Sequence, residues 1–138
     1  MQRAFGGNGA LSARFQATYR SQPKNVATAR HAVANFARSC GFASDEVAEI
    51  ELAVGEALAN AAEHGGVGTV GGSFTVGCEF TEDGLVIDVR DTGRGFVPGV
   101  RVPEAIPSRG FGITIMRALM NEITYSQNGT ALRMVRRR

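Results

Sequence analysis

Leu11, Ala13, Phe15, Ala17 and Tyr19 alternate with more polar residues, the period-two signature of a strand with one buried face. The spacing then becomes helical. Pro23 suits a first helical turn, Val26, Arg30, Val33, Phe36, Ala37 and Cys40 follow at mostly helical intervals, and Gly41 ends the run. Ser44 can cap a second helix, with Asp45 and Glu46 favourably placed at the positive end of its dipole. Ile50, Val54, Ala57, Leu58 and Ala61 carry that helix to Gly65, making it the longest the pattern predicts.

After a glycine-rich turn over residues 65–72, Phe74, Val76, Cys78 and Phe80 alternate, Glu82-Asp83-Gly84 reverses the chain, and Leu85, Ile87 and Val89 alternate again. This predicts an antiparallel hairpin. Residues 96–109 hold Pro98, Pro103 and Pro107 without periodicity, and read as a long loop of the kind that often forms a lid. A helix from Gly112 to about Asn121 follows, and then a second hairpin, 122–126 and 130–136, turned by Asn128-Gly129. The order predicts an α+β fold, with helices on one face of a mixed, mostly antiparallel sheet. Residues 1–10, rich in Gly and Asn, read as a flexible start, and residues 11–138 as one domain without internal repeat or linker.

Composition narrows the classes. With 138 residues there is room for one domain, and 43% hydrophobic and 20% charged residues argue against global disorder and against a disulfide scaffold. The apolar stretches fall well short of the roughly 20 residues of a membrane span. Met1–Ala10 lacks a signal-peptide run. The expectation is a cytoplasmic protein with no membrane contact. Cys40 and Cys78 stand far apart and outside metal-type spacing, as reduced thiols do. A net charge of +2 is too small to argue for direct nucleic-acid binding, which needs clustered basic residues. Arg136, Arg137 and Arg138 read as a solvated tail.

Three segments carry candidate chemistry. Glu56 and Asn60, four residues apart on the long helix, project from one face among alanines that allow close approach. A carboxylate can accept a proton from a hydroxyl, and an amide oxygen is a hard ligand suited to Mg²⁺; the same spacing also suits a solvated face. Asp91-Thr92-Gly93-Arg94-Gly95-Phe96 follows a strand. Its glycines leave room for a flat ring or a phosphate, and its carboxylate accepts hydrogen bonds only, which favours the amino group of adenine over the carbonyl of guanine. An ordinary turn has a similar composition. Arg109-Gly110-Phe111-Gly112 opens a helix, where free N–H groups and the dipole make an anion site, or where glycines serve as a hinge.

Jointly the segments are far more specific. Glu-x-x-x-Asn-Ala from Glu56, Asp-x-Gly-x-Gly-Phe from Asp91 and Gly-x-Gly from Gly110 resemble the N, G1 and G2 boxes of the ATPase fold shared by gyrase, Hsp90, histidine kinases and MutL. The short form, from about Leu11 to Val135, resembles the anti-sigma-factor serine kinases of the RsbW and SpoIIAB type. The resemblance implies a two-layer α/β sandwich of the Bergerat type. It implies that Glu56 is the general base, Asn60 the Mg²⁺ ligand and Asp91 the adenine partner. Gly93 and Gly95 then line the nucleotide, while Gly110 and Gly112, with Arg109 and Phe111 beside them, cradle the phosphates under the lid. Thr130 resembles the family's threonine beside the adenine-binding aspartate. Relatives often carry a basic residue two positions before the G2 glycine, whereas Arg109 immediately precedes Gly110.

The activity so implied is that of a Mg-ATP-dependent serine/threonine protein kinase. Its expected substrate is an anti-anti-sigma protein of the STAS type, its further partner a sigma factor, and its assembly a homodimer through the first strand and helix. The alternative is a non-catalytic, nucleotide-gated module that sequesters a sigma factor or another partner, and Glu56 speaks against it because a pure binder needs no base. A histidine-kinase fragment fits less well. That family generally has Asn at the position of Glu56 and an acidic residue after its acceptor histidine, whereas His31 precedes Ala32 and His64 precedes Gly65.

Overall fold

A computed structural model of the chain describes residues 13–64, 72–92, 112–127 and 130–138. Its elements are β1 (Ala13–Arg20), α1 (Pro23–Ser39), α2 (Ser44–His64), β2 (Ser73–Thr81), β3 (Gly84–Asp91), α3 (Gly112–Leu119), β4 (Glu122–Ser126) and β5 (Ala131–Arg136). The strands form one sheet in the order β1-β2-β3-β5-β4, and each of these pairings is antiparallel. The expected α+β architecture is thus present. The lid segment, residues 65–71 and the Asn128-Gly129 turn lie outside the described residues.

Strand alternation decides which face the helices cover. The register aligns Phe15, Cys78, Ile87, Met134 and Ile123 in one row, and Ala17, Val76, Val89, Leu132 and Tyr125 in the next. Helix α1 meets this face through Phe36, whose ring lies 5.8 Å from that of Phe15, and Phe42, just beyond α1, lies edge-on to Phe80 at 5.9 Å. The opposite face carries polar pairs. Arg14 bonds Glu79 (2.8 Å), Thr18 bonds Thr75 (2.8 Å), and Arg133 grips Asp88 with two bonds of 2.8 and 3.1 Å.

Helix α2 is the centre of the helical layer because its apolar residues recur at helical spacing: Val47, Ile50, Val54, Ala57, Leu58 and Ala61 are all buried. Leu58 is completely buried, and truncating such a leucine to alanine costs about 2–5 kcal/mol. The start of α2 differs from expectation. Ser44 is already helical. The Ala43 N–H donates to Glu46 Oε1 (3.0 Å) and the Ala43 carbonyl accepts from Val47 N–H (2.8 Å), so Ala43 holds the cap position and Glu46 supplies the reach-back half of a capping box.

Helix α1 ends as Gly41 predicts. Gly41 has φ +97°, and the N–H groups of Gly41 and Phe42 donate to the carbonyls of Arg38 and Ala37, the paired closure of a Schellman turn. Gly84 is needed more strictly. Its φ is +127°, and a β-carbon there lies only 2.4 Å from the Arg136 carbonyl oxygen, where β3 closes against β5.

The three terminal arginines are not a solvated tail. Arg136 is 15% exposed in its side chain and bonds the Leu119 carbonyl and Glu49. Arg137 pairs with Glu122, and the Arg138 guanidinium sits 5.7 Å from the ring centres of both Phe42 and Phe80. A row of charges in sequence divides here among three separate contacts because a strand end turns successive side chains in opposite directions.

Candidate nucleotide-binding site

Glu56 and Asn60 stand one turn apart on α2, both half-buried, beside the stripe that packs on the sheet. Against them lies Gly112, the buried first residue of α3. A β-carbon at Gly112 falls 3.1 Å from Glu56 Oε1 and 3.5 Å from Asn60 Nδ2. The approach is tight: a side chain there obliges the Glu56 carboxylate to give way by a few tenths of an ångström. Helix α3 is held in this position by the burial of Met116 in the core, with Ile113 and Leu119 packed against it. The N–H groups of its first turn, which have no partner within the helix, thus lie beside a carboxylate and an amide.

Asp91 ends β3 on the helix-facing side, two residues beyond Val89 and opposite Phe74. Its N–H donates to the Thr130 carbonyl (2.9 Å). The backbone of Thr130 thus stands beside that of Asp91, and the Thr130 hydroxyl donates to the Gln127 carbonyl (2.7 Å). Phe74 stacks on Tyr19 (5.5 Å between ring centres) and gives this end of the sheet an apolar floor; burial pushes the Tyr19 hydroxyl above its ordinary pKa. Thr92 anchors the strand end, its Oγ1 accepting from the Ser73 N–H (3.1 Å) and its own N–H donating to the Ser73 carbonyl (3.2 Å).

A groove of about 620 Å³ runs between α1 and α2, and Glu56 forms part of its wall. Leu52, 53% exposed, contributes apolar surface alongside Val26, Ala48 and Ala59, and Gly55 admits the Arg30 side chain, whose Cδ lies 3.2 Å from where a β-carbon at Gly55 sits. Arg30 Nε is 3.3 Å from Glu51 Oε2, and His31 Nε2 is 3.9 Å from the same oxygen. Leu52, Gly55 and Thr92 were not singled out by sequence reasoning, although Leu52 is legible in hindsight as a large apolar residue off the buried stripe.

Of the residues implied for nucleotide binding, Glu56, Asn60 and Gly112 come together, and Asp91 and Thr130 come together. Gly93, Gly95, Arg109, Gly110 and Phe111 lie outside the described residues. His64 is the last residue of α2. Among the described residues there is no cluster of three or more His, Cys, Asp or Glu side chains fit to hold a metal by themselves. The donor set at Glu56 and Asn60 suits a Mg²⁺ that takes one or two protein ligands and the rest from phosphates and water. No described helix is long and apolar enough to cross a membrane.

Residues 19–136 match the histidine kinase-like ATPase domain, and the chain belongs to that family. Within it, the chain is 29% identical over 124 residues to the anti-sigma F factor of Clostridium botulinum (strain Eklund 17B), an alignment covering 83% of this chain and 87% of that one. It is 26% identical over 128 residues to the serine-protein kinase RsbW of Listeria innocua, covering 84% and 82% of the two chains. The RsbW of Oceanobacillus iheyensis is 27% identical over 114 residues, covering 75% and 72%.

Proposed function

We propose that this chain is a Mg-ATP-dependent serine/threonine protein kinase of a partner-switching system: an anti-sigma factor that phosphorylates an anti-anti-sigma protein of the STAS type and sequesters a sigma factor. The reading is supported by the relatives, which are named for anti-sigma and serine-kinase activity. The observation that carries it is the approach of Gly112 to Glu56 and Asn60, a carboxylate and an amide at the mouth of a helix. We place the protein in the cytoplasm, where such partners act, and read it as a homodimer through β1 and α1; β1 is an edge strand of the described sheet.

In this reading Asp91 accepts a hydrogen bond from the adenine amino group, with Thr130 beside it. Gly93 and Gly95 line the nucleotide, and Gly110 and Gly112, with Arg109 and Phe111, present N–H groups to the phosphates. Mg²⁺, when bound with the nucleotide at Asn60, neutralises charge on the transferring phosphoryl group. Glu56 orients the acceptor hydroxyl and takes its proton as the oxygen attacks. The groove at Glu56 is open to solvent between α1 and α2, a route by which a protein hydroxyl reaches the carboxylate without crossing the nucleotide.

The test is transfer of label from γ-labelled ATP to a partner protein co-purified with the chain. Transfer that is lost in Glu56→Gln supports the kinase reading. Stable, nucleotide-dependent capture of the partner with no transfer by the wild type replaces it with the gated binding module.

A further inference from the structure

Arg136 is a charge on the apolar side of the sheet. Its register partner is Leu85, which is fully buried and pairs in turn with Phe80. The guanidinium is spent on two helices at once. Nη1 donates to the carbonyl of Leu119, the last residue of α3 (2.7 Å), and Nη2 donates to Glu49 Oε1 on α2 (2.7 Å), with Glu46 Oε2 at 4.0 Å. A planar fork of fixed geometry suits this better than a flexible ammonium, and a cation at a helix C-terminus also satisfies the end of its dipole.

The consequence lies at the other end of the same two helices. Along α2, Glu49 is seven residues before Glu56; along α3, Leu119 is seven residues after Gly112. At 1.5 Å per residue each span is about 10.5 Å. The helices form two sides of a frame, closed at one end by Gly112 against Glu56 and at the other by Leu119, Arg136 and Glu49. Sliding α3 along α2 by a single residue moves Gly112 about 1.5 Å relative to Glu56.

The geometry points to Arg136 as a positioning residue that fixes the register of α3 on α2, and so sets where the glycine opening α3 stands relative to Glu56 and Asn60. The inference rests on the nucleotide-site reading for its effect on activity, but its structural half stands alone. A displacement of about 1 Å from a distant change is enough to lower turnover on the order of a hundredfold.

The test compares Arg136→Met, Arg136→Lys and Glu49→Gln with Arg133→Met, which breaks an ion pair on the opposite face. Readouts are unfolding by denaturant, the amide chemical shift of Gly112 in the full-length ligand-free protein, and kcat and KM for ATP. The expected result is a displaced Gly112 amide in Arg136→Met, with kcat/KM down about 10- to 100-fold, smaller changes in Arg136→Lys and Glu49→Gln, and none in Arg133→Met. An unmoved Gly112 amide in folded Arg136→Lys and Glu49→Gln, or equal kinetic loss in Arg133→Met, overturns it. If the wild type binds no nucleotide, the proposed function fails, while the Gly112 amide still decides the clamp.

Discussion

The Glu56 carboxylate stands 3.1 Å from the place a β-carbon takes at Gly112, so any larger residue there crowds the carboxylate. Gly112→Ala therefore pushes the carboxylate or the start of α3 aside. The expected result is nucleotide affinity and turnover each reduced on the order of tenfold or more, measured by titration with a fluorescent ATP analogue and by label transfer. Wild-type values in a folded Gly112→Ala protein contradict the assignment of this contact to the site.

Glu56→Gln keeps the shape of the side chain and removes its basicity. Loss of a general base lowers the chemical step about 10²- to 10⁴-fold, so transfer falls by that order while the dissociation constant for Mg-ATP stays within a few-fold of wild type. Parallel loss of both assigns Glu56 to binding instead.

Asp91→Asn replaces an acceptor with a group that also donates. A hydrogen bond to a charged partner contributes about 1.5–3 kcal/mol, so the affinity for ATP falls by about 10- to 100-fold, and discrimination against GTP narrows. Direct binding measurements with both nucleotides check this. An unchanged ratio of the two affinities removes Asp91 from adenine recognition.

Leu52 is 53% exposed, and a surface change of this kind alters stability by about 0.5 kcal/mol or less. Leu52→Asp is expected to raise KM for the protein acceptor several-fold while leaving ATP affinity intact. Acceptor kinetics equal to wild type detach the groove from substrate docking.

Burial drives the Cys78 thiol far above its ordinary pKa of 9.0, the thiol of Cys40 adding to the effect. The folded protein thus keeps a proton that the unfolded chain releases as pH rises past about 9. The corresponding stability is complete below that value and is lost progressively above it. Cys78→Ala is less stable overall because it leaves a small cavity, but its denaturant midpoint falls less steeply than that of wild type between about pH 8 and 10. Parallel alkaline slopes remove Cys78 as a contributor.

Periodicity made the elements legible. The alternation of Phe74, Val76 and Cys78 and the helical stripe through Ile50, Val54 and Leu58 each name a buried face, and the structure puts those residues in the core. The pairing of Asp91 with Thr130 was legible only through family resemblance, since no local pattern joins residues so far apart in sequence. Arg136 was read the wrong way: a charge at a chain end looks solvated in sequence, and its two acceptors, the Leu119 carbonyl and Glu49, become neighbours only when β5 closes the sheet. The groove was hidden for a similar reason. It needs Arg30 of α1 to lie across Gly55 of α2, a relation that neither helix carries alone.

Titration of isotope-labelled protein with Mg²⁺ and a non-hydrolysable ATP analogue tests the central claim most directly. A single saturating event that shifts the amides of Glu56, Asn60, Asp91 and Gly112 together is the predicted result. Saturation with Glu56, Asn60 and Gly112 unmoved, or shifts confined to residues remote from all four, contradicts it.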